Sequence, residues 1–215
     1  MVAFITFEGG DGTGKSTQIK LLESYLVAQG KACIITREPG GTWLGQLLRQ
    51  ILLEASSRSI SSPSELFLYL ADRAQHVHEV IVPAIAQGKI VLSDRHTDST
   101  VAYQGYGRGI DLPLLLRLNE FASGGLTPDV TFLLDCPIEL GLSRAAQRKS
   151  QAPEVKAKDR FEIENLEFHQ KVRQGFLELA RAEPARFYII DASRSEQRVF
   201  AAIKEVVDRR LDLSS

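Results

Sequence analysis

Gly9-Gly10-Asp11-Gly12-Thr13-Gly14-Lys15-Ser16-Thr17 follows directly on the apolar run Val2 to Phe7 and leads into a helical pattern. The stretch fits Gly-x-x-x-x-Gly-Lys-Ser/Thr, with the strand before it and the helix after it that the motif requires. Its glycines let successive backbone N–H groups turn inward without a Cβ clash, and a helix starting near Lys15 aims its positive end at the same spot. Polyphosphate is the natural occupant of such a cradle. Lys15 is expected to reach the outer phosphates, and the Ser16 hydroxyl to offer Mg²⁺ a coordination position.

Outward from the loop, four further apolar runs repeat the strand pattern: Ala32 to Thr36, Ile90 to Ser93, Val130 to Leu134 and Phe187 to Ile190. Helical patterns separate them. The alternation predicts an α/β fold, a five-stranded parallel sheet flanked by helices on both faces, with each strand buried on both sides. At 215 residues and 44% hydrophobic composition, one domain spanning 1–215 is expected. Ser62-Pro63-Ser64-Glu65 reads as a capping box that opens a long helix. Its apolar face is Leu66, Leu70, Ala74, Val77, Ile81 and Ile85; Pro83 should kink it and Gly88 end it. Ser193-Arg194-Ser195-Glu196 reads as a second box, opening a helix with Val199, Ile203 and Val206 inward. Gln147 to Arg160 is charged, contains Pro153 and has neither period, so it reads as a mobile surface segment.

Charge and composition exclude other classes. Acidic and basic residues nearly cancel, to a formal net charge of -1, so no global field draws the chain to nucleic acid or an anionic membrane. No run is long and apolar enough to span a bilayer, and the start MVAFITFEGG lacks the regions of a signal peptide, so a cytoplasmic protein is expected. Cys33 and Cys136 lie in apolar runs and read as packed free thiols. His76, His78 and His169 have no metal-ligand spacing and read as surface or helix-packing residues.

A phosphate loop leaves a switch GTPase, an ATPase and a small-molecule kinase open. An Asn/Thr-Lys-x-Asp guanine-reading segment is missing, and no Asp-x-x-Gly follows a later strand. On the other side, Leu92-Ser93-Asp94-Arg95-His96 places a carboxylate and a guanidinium at a strand's carboxyl end, where open α/β sheets bind ligands. Asp94 is placed for the metal, directly or through water, and Arg95 offers a fork for a second phosphate. Tyr69 and Arg73, at i and i+4, present an aromatic face and donors from one side of a helix.

The segment Leu92-Ser93-Asp94-Arg95-His96-Thr97-Asp98-Ser99-Thr100-Val101-Ala102-Tyr103-Gln104 resembles the signature of thymidylate kinases. Thr36 to Thr42, Tyr69 to Arg73, Gly105 to Asp111 and Asp159-Arg160-Phe161-Glu162 are similar to the same family, in its order and spacing, from Phe4 to about Ser193. The resemblance implies transfer of the γ-phosphoryl group of ATP to dTMP, giving dTDP and ADP, in a homodimer with Mg²⁺. It implies an acceptor site in which Arg73 meets the thymine, Tyr69 stacks on it in place of the usual phenylalanine, and Arg95 with Arg37 holds the monophosphate. Ser99, Thr100 and Gln104 would line the pocket, Tyr103 would crowd the 2′ position, and Asp11 would face the 3′-hydroxyl or the metal. Glu38-Pro39 would carry a cis peptide. Gly9, Gly10, Asp11, Gly12, Thr13, Gly14, Lys15, Ser16 and Thr17 would hold the donor's phosphates. Ser193, in the Asp191-Ala192-Ser193-Arg194 loop, would face its adenine end, and Arg144, beside the lid, would also contact the donor. The phosphate loop has no arginine of its own, so a lid over about 147–160 is expected to bring one, with Arg148 and Arg160 as candidates beside Lys149, Lys156 and Lys158. A related kinase with another acceptor, and a non-catalytic nucleotide binder, remain as rivals.

Overall fold

The structure, a computed structural model, describes residues 2–53, 59–151, 160–161 and 163–213. Five parallel strands form one sheet: β1 (Phe4–Glu8), β2 (Cys33–Arg37), β3 (Ile90–Asp94), β4 (Val130–Asp135) and β5 (Phe187–Asp191), in the order β2-β3-β1-β4-β5. The three central strands are buried along nearly their whole length. The edges are not: Ile35 of β2 and Ile189 of β5 are exposed, which corrects the expectation of strands covered on both faces. An edge strand has a neighbour on one side only, so fewer helices can cover it.

The helices are α1 (Lys15–Ala28), α2 (Trp43–Leu53), α3 (Ser62–His76), α4 (Val82–Ala86), α5 (Thr97–Thr100), α6 (Leu112–Ser123), α7 (Ile138–Gln151), α8 (Leu166–Ala182) and α9 (Glu196–Leu211). α1 and α9 close one core against the sheet, where Leu22, Leu26 and Ile203 meet Ile5, Phe7 and Phe132. α8 closes another, where Phe168, Val172 and Phe176 meet Tyr103, Leu133 and Phe161.

The long helix deviates from its expected form in three ways. Its cap is Ser61, whose side chain accepts from the Ser64 N–H; Ser62 is already helical, and Glu65 turns inward instead of closing a box. Its inward face holds Leu66, Leu70, Arg73 and Val77, while Ala74 is exposed. Ahead of Pro83 the helix widens into a π-helical turn, Val77–Ile81, before resuming as α4. The wider turn accommodates a residue that has no N–H to give and whose ring crowds the carbonyl four residues back. A second π-helical stretch, Val101–Gly107, follows α5. α9 buries Val199, Ile203 and Val206 as expected, and Val207 with them, but Ser195 caps it without a side-chain bond. Ser193 bonds to Asp191 instead, so the second box does not form. Gln147 to Gln151, expected to lack structure, continue α7; 152–159 lie outside the described residues.

Candidate active site

β1 ends at Glu8 and the chain turns through the glycine loop into α1. Gly9 has φ +126°, and a Cβ there would stand 2.3 Å from the Leu134 carbonyl oxygen; one at Gly12 would stand 1.9 Å from that of Gly141. Side chains at either position would push the loop off β4 and α7. Lys15 is buried, and its Nζ donates to the Gly9 and Gly10 carbonyls at 3.0 and 2.8 Å. Burial first, then the charge of Arg95, pulls the Lys15 ammonium down to about 8. Thr13 donates to the Gly10 carbonyl, whereas Thr17 sits exposed on the first turn of α1.

On one side of the loop lies a polar cleft. Lys15, Arg37, Arg49, Arg95 and Arg148 line it together with Asp11, Glu38 and Asp94, so cations outnumber carboxylates by five to three. Such a surface suits a polyphosphate. Ser16 Oγ donates to Asp94 Oδ2 at 3.1 Å, which joins the loop hydroxyl to the strand-end carboxylate. Arg148 reaches this cleft from α7. Arg160 does not: its guanidinium pairs with Glu65 and lies over the Phe161 ring, a correction to its expected place at the phosphates. Glu65 is buried, and a buried carboxylate holds a guanidinium strongly. Lys156 and Lys158 fall outside the described residues. Arg144 donates to the carbonyls of Ala192 and Ser193.

The second cleft is a partly open pocket beside the carboxyl ends of β2 and β3. Glu38, Pro39, Tyr69, Arg73, Arg95, Ser99, Thr100, Tyr103 and Gln104, all expected there from sequence, line it together with Asp11, Arg49, Leu53, His96 and Phe161. The Glu38-Pro39 bond is cis. Arg37 is the exception: it is exposed, lining the polar cleft and the neighbouring groove beside Ser16, Lys20 and Ile35 instead of this cavity. Side chains alternate at the end of β2, so burying Thr36 and Glu38 turns Arg37 the other way. Arg49 of α2 stands in both clefts, held by the Pro39 carbonyl at 2.9 Å.

Arg95 has φ +76°, a left-handed conformation that is strained for a side-chain-bearing residue, at the turn out of β3. Its Nη1 donates to the Gly9 carbonyl and Ser99 Oγ, and its Nη2 to Asp11 and the Tyr103 hydroxyl. Burial works against its charge, but Tyr103, Asp11, Asp94 and Glu8 hold it above the usual arginine range. Burial likewise works to raise the Asp11 carboxyl, yet Arg95 and Lys15 leave it below its ordinary value.

Beneath the cavity lies a buried polar network that was not legible in the sequence. Glu38 accepts from Arg73 Nε at 2.9 Å and lies within 3.0 Å of the Nδ1 atoms of both His76 and His96. Burial would raise the Glu38 carboxyl, but Arg73 and His96 outweigh it and hold it well below the ordinary range. Arg73 also donates to Asn119 and the His96 carbonyl, committing three of its five donors to structure. His76, read as a surface or helix-packing residue, is fully buried and shares a hydrogen bond with Thr36. A second network centres on Glu65, which pairs with Arg108 and Arg160 and accepts from Gln104. Glu8, at the end of β1, accepts from the His96 N–H and Ser99 Oγ. Burial and the nearby Asp98 push its carboxyl up to about 8. Of the missed residues, Arg49 left a trace: it falls on the buried stripe of α2 with Gly45, Leu48 and Leu52, at helical spacing.

A family model described as thymidylate kinase matches residues 7–203. A thymidylate kinase of Solidesulfovibrio magneticus is 54% identical over 97% of this chain and 100% of the relative. One of Geotalea uraniireducens is 52% identical over 98% and 99%. A crystal structure of thymidylate kinase from Ehrlichia chaffeensis superposes with a TM-score of 0.75 at 35% identity, covering 96% of this chain and 98% of that one. A family model over most of its length and relatives with about half its residues in common, aligned nearly end to end, show that the chain belongs to the thymidylate kinase family.

Proposed function

We propose that the chain transfers the γ-phosphoryl group of ATP to dTMP, giving dTDP and ADP for the synthesis of dTTP. The observation that carries this reading is that the two clefts open onto each other at Asp11, Glu38, Arg49 and Arg95. A donor polyphosphate on the glycine loop and a monophosphate below Arg95 would meet there, with cations gathered where negative charge spreads in the transition state. Catalysis of this kind is mostly positioning, and the chain's own parts divide that work. The loop amides and Lys15 hold the donor. Arg95 and Arg49 anchor the acceptor phosphate, Tyr69 and Phe161 flank its base, and Tyr103 narrows the sugar position. Arg148, on the far turn of α7, is the lid arginine, and the lid spans about 147–160 of a single domain, 1–215. Arg144 and the Ala192–Ser193 backbone form the adenine side.

Mg²⁺ enters as part of the donor substrate. Ser16 Oγ and Asp94 offer it hard oxygen ligands side by side, and among the described residues no group of three His, Cys, Asp or Glu side chains forms a separate metal site. Mg²⁺ keeps most of its waters and takes one or two protein oxygens beside the phosphates, which suits this pair. A cytoplasmic location accompanies this reading, since both nucleotides are used there. Among the described residues no helix is long and apolar enough to cross a membrane.

The active form is a homodimer. Trp43, Leu47 and Ile51 form an exposed apolar stripe on α2 at four-residue spacing, Trp43 being 73% exposed, and Phe67 is exposed on the adjoining α3. An apolar patch of this kind marks an interaction surface. Sedimentation should give twice the chain mass, and Trp43→Glu should give monomers. The activity is tested by an acceptor screen: ADP release with ATP and Mg²⁺ across all nucleoside monophosphates. dTMP should lead; a preference for dGMP or CMP would favour a different kinase, and no transfer to any acceptor would favour a non-catalytic binder.

A further inference from the structure

β1 and β3 run side by side until Phe7 pairs with Asp94, and there β3 leaves the sheet. The first residue out is Arg95, with its left-handed φ of +76°. Such a conformation persists only where its surroundings over-determine it. Three backbone contacts hold this one. The Arg95 N–H donates to the Phe7 carbonyl at 3.0 Å, and Ser93 Oγ donates to the Arg95 carbonyl at 2.8 Å. The N–H of the next residue, His96, donates to Glu8 Oε1 at 2.8 Å, the one contact of the three made by a side chain of another strand.

Glu8 reaches the Arg95 side chain as well. Its Oε2 accepts from Ser99 Oγ at 2.6 Å, and that same hydroxyl oxygen accepts from Arg95 Nη1 at 3.0 Å. One carboxyl thus fixes both the backbone turn and, through Ser99, the guanidinium. Glu8 is fully buried and lines neither nucleotide cleft, so it touches no substrate. Burying a carboxyl opposes folding, and here burial with the charge of Asp98 pushes it up to about 8. An apolar residue would avoid that loss but would leave the His96 N–H and the Ser99 hydroxyl without their partner. An entering phosphate competes for the Arg95 donors now given to Gly9, Asp11 and Tyr103, whereas the Glu8 bond to the His96 N–H is buried and stays made. We propose that Glu8 is a positioning residue for phosphoryl transfer, setting the direction of the Arg95 guanidinium toward the acceptor phosphate. The proposal rests on the reading of Arg95 as the anchor of that phosphate.

The test measures dTMP binding to the full chain by calorimetry. Glu8→Leu, close in size but without either oxygen, should weaken dTMP binding about tenfold and leave ADP binding within about twofold of wild type. Glu8→Gln keeps the shape and, like a neutral carboxyl, one acceptor and one donor, so it should recover most of the affinity. Glu8→Met takes the place of the leucine variant if the latter shows no cooperative melting. The decisive comparison is made in an Arg95→Ala background, where Glu8→Leu should change dTMP affinity by less than about twofold, since the group it positions is gone. An equal loss in that background, no loss in the single variant, no recovery in Glu8→Gln, or a loss for ADP as large as for dTMP would overturn the proposal. The Arg95 Nε–H resonance, assigned by its disappearance in Arg95→Ala, reads the same positioning with no nucleotide present. It should move in Glu8→Leu and return in Glu8→Gln; an unmoved signal would count against the role of Glu8. Failure of dTMP in the acceptor screen would overturn the proposed reaction and leave this resonance test in force.

Discussion

The acceptor cavity and the phosphate cleft share four residues and are built on opposite plans. The cavity's wall is tied into buried networks: Glu38 links Arg73, His76 and His96, and Glu65 links Gln104, Arg108 and Arg160. The cleft is lined by loop backbone and by cations on longer leashes, with Ser16, Arg37 and Arg148 exposed. A base and sugar must be recognised by shape, which needs fixed walls; a triphosphate is recognised by charge, which tolerates movement and uses it for closure.

The largest test breaks the cleft. Lys15→Ala should lower kcat by roughly 10³-fold or more, because it removes the buried cation nearest the donor phosphates, while the melting curve should move little. A near-normal single-turnover rate would contradict the loop assignment. The corresponding break in the cavity acts on stability: Glu38→Ala leaves Arg73 buried without its carboxylate and should cost about 3–5 kcal/mol in urea unfolding. A loss below about 1 kcal/mol would mean the brace is not a brace.

Two further variants sharpen the division between the regions. Arg148→Ala should reduce kcat about 10²- to 10³-fold with the dTMP KM nearly unchanged. Arg160→Ala should do the reverse, raising the dTMP KM and lowering the melting temperature through Glu65 with a smaller change in kcat. Equal kinetic profiles for the two would erase the distinction drawn from their positions.

The pH dependence of stability probes Glu8, which lies where the regions join. Its folded carboxyl is pushed up to about 8, so between about 4.5 and about 8 the folded chain holds a proton that the unfolded chain has released. Stability from this group therefore falls as pH rises through that window and levels off above it. Glu8→Gln removes the dependence, so urea midpoints should favour the variant progressively more from pH 5 to about pH 8 and by a constant margin above that. A constant gap between the two would place the Glu8 carboxyl in its ordinary range. The smallest effect expected is that of Tyr69→Phe, which keeps the ring beside Phe161 and should change dTMP affinity by less than about 1 kcal/mol.

What could be read along the chain differed by region in the same way. The glycine loop, the strand-end Asp94 and Arg95, and the line of Ser99, Thr100, Tyr103 and Gln104 are local in sequence, and the structure brings them together as expected. The networks behind them join partners far apart: Glu38 to His96, Arg73 to Asn119, Glu65 to Arg160. No spacing rule links such pairs. Where the Arg37 and Arg160 side chains face was not legible for one reason: it depends on a neighbour's burial, Thr36 and Glu38 in one case and Glu65 in the other.

The order of apolar runs and turns along the chain was enough to determine the parallel sheet, the phosphate loop and the chemistry of the residues at strand ends, because each rests on contacts within a few positions. Only the tertiary structure decided which arginines line which cleft and which histidines are buried. Those outcomes depend on which distant side chains compete for the same buried charge, and that competition takes place only after the helices have packed.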